Sequence, residues 1–184
     1  SLLPVTWIDE WPIIGEVDSN NIGTMIYKGE VPGFNPHGNQ LLTTDYFDKE
    51  PISLQWQWNY QPRIEMFSLN ERPGWLRLKA FKPLKKNQLL LAGNTLSQRT
   101  FRSKGNEVIT KFDISGMTDG HKAGLCHFSK EYAAIGISQA EGLRRLAYWQ
   151  NDSLILGDII STTNIWFKSV WGLDGISQFS YSLD

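Results

Sequence analysis

Cysteine is almost missing from this chain: Cys126 is the single one in 184 residues. One thiol cannot build an internal disulfide framework or a cysteine-rich metal site. Charge of one sign is missing too. Lys and Arg number 18 against 19 Asp and Glu, a formal net charge of −1. Without a basic excess, nucleic acid is not an expected partner. No apolar run approaches the ~20 residues of a membrane span, so no membrane partner is expected either. The opening residues Ser1-Leu2-Leu3-Pro4 lack the basic n-region of a signal peptide and read as a cut from something longer. Nor does any stretch of about a dozen residues sustain a 3.6-residue apolar period, so almost no helix is expected.

Reactive groups in working arrangements are also scarce. The three histidines, His37, His121 and His127, have no metal-ligand spacing and read as solvated or hydrogen-bonded side chains. Ser68, Ser97 and Ser115 sit in no nucleophile-elbow pattern. Glycoside hydrolysis needs two carboxylates about 5–9.5 Å apart. The acidic candidates do not form such a pair on one strand face: Glu65 and Glu71 flank a loop, Asp113 ends a strand, and Asp152 and Asp158 lie in or near a turn. The chain therefore reads as non-catalytic, with no cofactor. A structural calcium held by loop carboxylates and carbonyls stays open, since the sequence shows no dedicated loop for it.

What the chain has in plenty is tryptophan, with eight Trp and 12% aromatic residues. The plain explanation is the core of a β-protein; the sharper one is a surface on which sugar rings stack. One stretch frames the choice. In Leu54-Gln-Trp-Gln-Trp-Asn-Tyr60, side chains alternate at period two, so Leu54, Trp56, Trp58 and Tyr60 share one face. Gln55, Gln57 and Asn59 share the other. Either the indoles pack and the amides face a groove, or the Trp ladder faces solvent. The first is favoured, because two exposed indoles beside Leu54 would make a costly apolar patch. Sugar binding needs hydrogen-bonding amides and cations beside aromatic rings. The candidate ligand-binding residues are therefore Gln55, Gln57, Asn59, Tyr60, Trp75, Arg77, Asn94, Gln98 and Arg99.

Residues 1–33 read as irregular, since Pro and Gly interrupt every element, with Trp7, Trp11, Ile13 and Ile14 as docking anchors. They dock against this domain or an upstream one, and 34–184 is taken as the domain proper. From residue 52 short alternating runs follow at 52–60, 75–81, 88–101, 107–114, 122–128, 132–138, 143–150, 153–160, 164–171 and 177–183. Pro73-Gly74 reads as a type II turn, and Gln150-Asn-Asp-Ser153 as a hairpin turn. Ile165, Trp166 and Phe167 put apolar groups on both faces of one strand. That strand should be buried on both sides or covered by residues 1–33. Ten short runs at this spacing give an all-β, two-sheet antiparallel sandwich. The alternation of Phe179-Ser-Tyr-Ser-Leu-Asp184 stops as though in mid-hairpin.

Several of these runs together resemble a known family. They are Leu54-Gln-Trp-Gln-Trp-Asn59, Ser68-Leu-Asn-Glu-Arg-Pro-Gly-Trp-Leu-Arg-Leu78, Asn94-Thr-Leu-Ser-Gln-Arg99, Asp113-Ile-Ser-Gly-Met117, Ala123-Gly-Leu125 and Phe179-Ser-Tyr-Ser-Leu-Asp184. In that order they are similar to the C-terminal β-sandwich module of family 43 glycoside hydrolases, the β-xylosidase and arabinofuranosidase group. Trp7-Ile-Asp-Glu-Trp-Pro12 looks like the segment leaving the catalytic propeller of such enzymes. The resemblance implies a concanavalin-A-like jelly roll lacking its last strands. It also implies binding to a polysaccharide such as xylan or arabinoxylan, or packing that shapes the propeller's active site. Such a protein works outside the cytoplasm, secreted or periplasmic.

Overall fold

The seven longest strands lie from Asn106 onward, and burial alternates at every residue in the first of them, Asn106–Asp113. A computed structural model describes residues 3–29, 44–60, 62–85, 88–100, 104–151 and 153–184. The chain divides into two compact units, 1–43 and 44–184. The boundary expected between residues 33 and 34, along with His37, Gln61 and Asp152, lies outside the described residues.

The first unit is not irregular, contrary to the Pro/Gly reading. Strand β1 (Val5–Ile8) pairs antiparallel with β2 (Trp11–Ile14), with Val5 opposite Ile14 and Ile8 opposite Trp11. The two-residue turn between them takes positive φ at Asp9 (48°) and Glu10 (68°). Both central residues of a type I′ turn need positive φ, and Asn-Gly is its usual marker. Asp-Glu gave no such warning. Two shorter strands follow, β3 (Glu16–Val17) and β4 (Gly23–Thr24). Asp18 Oδ1 accepts the N–H groups of Asn20 and Ile22 in the loop between them.

In the second unit, β5 (Trp56–Trp58), β6 (Phe67–Ser68), β7 (Arg77–Leu78) and β8 (Leu96–Gln98) are brief. β5 pairs with β8, and β6 with β7. The remaining strands are β9 (Asn106–Asp113), β10 (Lys122–Phe128), β11 (Tyr132–Ala140), β12 (Leu143–Gln150), β13 (Ser153–Ile159), β14 (Asn164–Trp171) and β15 (Ser177–Ser182). They form a four-stranded sheet in the order β10-β11-β12-β13 and a three-stranded sheet in the order β15-β14-β9. Every pairing is antiparallel. Among the described residues the only helical turns are two 3-10 turns, Ile64–Met66 and Leu89–Leu91. The architecture is the all-β, antiparallel one that the strand pattern implied, consistent with the concanavalin-A-like sandwich that the resemblance implied.

The inner faces of the two sheets meet in one core. Ile135 and Ile137 come from β11, Ile165 and Phe167 from β14, with Ile114 and Ile160 just past β9 and β13. Full burial of each such side chain contributes roughly 1.5–3 kcal/mol before entropy. β14 is buried on one face only. Ile165 and Phe167 are fully buried, whereas Trp166 is 37% exposed on the other side, so the two-sided burial expected there does not occur. β10 and β11 approach closely where Gly124 opposes Gly136. A Cβ on Gly136 would fall 2.1 Å from the Ala123 carbonyl oxygen, so no larger residue fits without moving the strand. Gly74, at φ +77°, closes the turn in which the Trp75 N–H donates to the Arg72 carbonyl. That is the type II turn expected at Pro73-Gly74.

Candidate functional site

The 54–60 run stays extended only across Trp56–Trp58, because Leu54 and Gln55 lie in a turn. Leu54 is consequently fully exposed, not packed beside the indoles. Trp56 is held by polar and aromatic partners together. Its Nε1 donates to Asp45 Oδ2 at 2.8 Å, and its ring stacks on Phe47 at 5.8 Å. Asp45 also accepts from the Phe47 N–H (2.8 Å) and the Ser53 hydroxyl (2.7 Å). Burial pushes the Asp45 carboxyl up, but these three hydrogen bonds outweigh it and hold the pKa below its ordinary value.

Trp58 packs on Phe67 with ring centroids 4.7 Å apart, and it also borders a cleft. The cleft, of about 650 Å³, is lined by Glu50, Pro51, Ile52, Trp58, Ile64, Phe67, Ser68 and Leu69. Its walls are mostly apolar. Glu50 accepts from Asn70 Nδ2 through Oε1 at 2.8 Å, and a carboxylate has further acceptor sites to offer. The Ser68 hydroxyl oxygen accepts the N–H groups of Asn70 and Glu71, fixing the corner behind the cleft. An aromatic wall with a carboxylate and a hydroxyl suits a pyranose, whose C–H face stacks and whose hydroxyls donate.

The sequence-expected site residues are scattered around this cleft. Gln55 turns inward, and both of its amide atoms are buried without a hydrogen-bond partner among the described residues. Gln57 is exposed, and its backbone carbonyl accepts from the Ser97 hydroxyl at 3.0 Å. Asn59 and Tyr60 are half-buried; the Asn59 N–H donates to the Thr95 carbonyl. Gln98 lies opposite Trp56 on the β5–β8 ladder, and Arg99 follows it, exposed. Asn94 is a strut, its Nδ2 donating to the carbonyls of Met66 and Lys79. Trp75 stacks under the Arg72 guanidinium at 4.0 Å. Arg77 pairs with Glu71 at 2.9 Å, and Lys79 with the same carboxylate at 2.6 Å. The Lys79 hydrogen bond, the largest cause, lowers the Glu71 pKa. The cleft wall thus takes Trp58 from the expected stretch but not Gln55, Gln57 or Asn59. Glu50, Ile64 and Phe67 were missed, because nothing in their local sequence marks them.

Two further groups are inert. Burial pushes the Cys126 thiol up to about 12, so it is no nucleophile at neutral pH. His127 Nε2 lies 2.7 Å from the buried Ser169 hydroxyl, and its ring meets Trp171 edge-on at 4.8 Å. Burial lowers its pKa. Among the described residues no three His, Cys, Asp or Glu side chains gather to hold a metal ion.

Residues 44–184 match the family model described as the β-xylosidase C-terminal concanavalin A-like domain. A β-xylosidase of Formosa agariphila is 35% identical over 81% of this chain and 28% of its own length. A putative β-xylosidase of Xylanibacter ruminicola is 31% identical over 74% of this chain and 25% of its own. The chain therefore spans about a quarter of the length of these curated relatives. A solved bifunctional GH43-CE protein of Bacteroides eggerthii superposes with TM-score 0.70 at 26% identity, covering 100% of this chain and 24% of that one.

Proposed function

This chain belongs to the family of C-terminal concanavalin A-like domains of β-xylosidases, and on that premise we propose that it is a non-catalytic carbohydrate-binding module. Its ligand is a xylan-type hemicellulose, xylan or arabinoxylan, and it targets an attached family 43 glycoside hydrolase to that polymer. The cleft beside Trp58 carries this reading. It offers an aromatic wall and the Glu50 acceptor, and xylose, lacking an exocyclic CH₂OH, is slim enough for it. Among the described residues Glu50 is the one carboxylate in its lining, whereas glycosidic cleavage by acid and base needs two. A polymeric ligand does not cross a membrane, so the protein works outside the cytoplasm, secreted or periplasmic. Residues 1–33 are the arm that arrives from the catalytic propeller.

A second reading has an observation of its own. β13 is exposed along its whole length, including Leu154 (44%), Ile155 (61%), Leu156 (51%) and Ile159 (53%). An apolar strip of this kind suits a protein partner. The domain then also packs on its own propeller and shapes the active site there.

Affinity electrophoresis in gels with soluble xylan tests the first reading. Retardation of the chain, lost in Trp58→Ala, is the expected result. Free migration of the folded chain would leave only the accessory role.

A further inference from the structure

On the side of the three-stranded sheet away from the core, the ladder sets Lys111 opposite Trp166 and Trp166 opposite Ser182. The next row is Ile109, Lys168 and Ser180. Trp75 approaches from outside this strip. Lys111 Nζ lies 5.1 Å from the Trp166 ring centroid and 5.8 Å from that of Trp75, so one ammonium sits between two indoles. The other cations of the strip have carboxylates. Lys168 pairs with Glu107 at 2.5 Å, and Arg72 pairs with Asp113. The Asp113 pKa is lowered by hydrogen bonds from the Ser115 hydroxyl and backbone, with Arg72 adding to them. Asp184 accepts a hydrogen bond from the Ser182 hydroxyl at 2.7 Å. Lys111 has no carboxylate partner among the described residues.

We propose that this strip is a second glycan site, one that takes an acidic sugar. It rests on the carbohydrate-binding reading above but uses none of the cleft residues. A uronic acid borne on a β-1,4-xylan chain is the ligand class. Its pyranose ring stacks on the exposed face of Trp166, its carboxylate pairs with Lys111, and the hydroxyls of Ser180 and Ser182 meet its ring hydroxyls. The Lys111 ammonium selects an acidic ligand over a neutral one. A neutral sugar would use the indole and leave the ammonium with π contacts alone, whereas a ligand carboxylate supplies Lys111 with the anion it does not find among the described residues. Ser180 and Ser182 keep the strip polar beside the indole and offer hydroxyls to those of a sugar.

Isothermal titration with two probes tests this: a neutral linear xylo-oligosaccharide, and the same oligosaccharide carrying one glucuronic acid. At low salt the wild-type chain should bind the acidic probe about tenfold more tightly, with the preference shrinking as salt rises. Lys111→Gln should abolish that preference and leave the affinity for the neutral probe unchanged. Trp166→Ala, with its melting temperature measured alongside, should lose the acidic preference while neutral binding at the cleft persists. Equal affinity for the two probes, or a preference that survives Lys111→Gln, would overturn the acidic site while leaving the cleft untouched. Acidic binding that depends on Lys111, with no neutral binding at all, would sustain this site and remove the cleft.

Discussion

Residues 104–184 and residues 44–100 use the same polypeptide chemistry to opposite ends. In the first, strands of six to nine residues pair along most of their length, and in β9 burial alternates residue by residue. In the second, the ladders are two or three residue pairs long. Their side chains are half-buried or exposed, and polar struts from Asp45, Asn94 and Ser68 hold the loops. Long ladders satisfy the backbone and bury whole faces. Short ladders leave room between them, and that room is the cleft lined by Trp58. The sheet region supplies rigidity, and the loop region supplies a concave surface.

Substitutions can separate the two regions. The largest loss should come from Phe167→Ala, which empties the space between the sheets. Its expected cost is about 3–5 kcal/mol, read from urea unfolding. A cost below 1 kcal/mol would mean that the core is not where stability resides. Gly136→Ala should follow at roughly 1–3 kcal/mol, because the new Cβ meets backbone on β10. A neutral outcome would deny the close approach of β10 and β11. In the loop region, Trp56→Phe keeps the ring on Phe47 but deletes the indole donor to Asp45. A loss of about 1–2 kcal/mol is expected, and none at all would show the strut to be idle.

Acid should also act on the two regions at different pH. His127, in the sheet region, has a lowered folded pKa. The unfolded chain then binds the extra proton first, so stability is complete above the ordinary histidine value of 6.5. It falls as pH drops below that value. Asp45 and Asp113 are lowered from a carboxylate value of 3.8. Their contribution is present above that pH and is lost only on further acidification. Melting temperature against pH should fall in two steps, and His127→Gln should remove the upper one. A single step near pH 4 in both proteins would contradict the lowered pKa of the half-buried His127. The smallest effect should be Gln57→Ala. Its side chain is exposed and absent from the cleft wall, so stability should move by no more than about 0.5 kcal/mol.

The same contrast explains what could be read from the sequence. β9 to β15 were legible because period-two alternation survives wherever a strand has one buried face. Val108, Thr110, Phe112 and Ile114 pointed inward as their spacing required. The loop region was harder for definite reasons. The alternation of Leu54 to Tyr60 continues through a turn that leaves Leu54 in solvent. Phe47 takes positive φ without being glycine, as do Asp9 and Glu10 in the first unit. Glu50 and Phe67, 17 residues apart in number, meet only through the fold of the loops between them. Trp166 was visible as an oddity in the sequence. That Lys111 is its neighbour on the next strand could not be read from the sequence.

The central claim is that glycan binding lies in the loop region, at Trp58. The most direct measurement is a titration of the ¹⁵N-labelled chain with neutral xylo-oligosaccharide, following the indole N–H signals of the eight tryptophans. The account predicts that the Trp58 signal shifts with saturation while that of Trp171, packed against His127, stays in place. Saturable shifts confined to other indoles, or no shift at millimolar sugar, would contradict it.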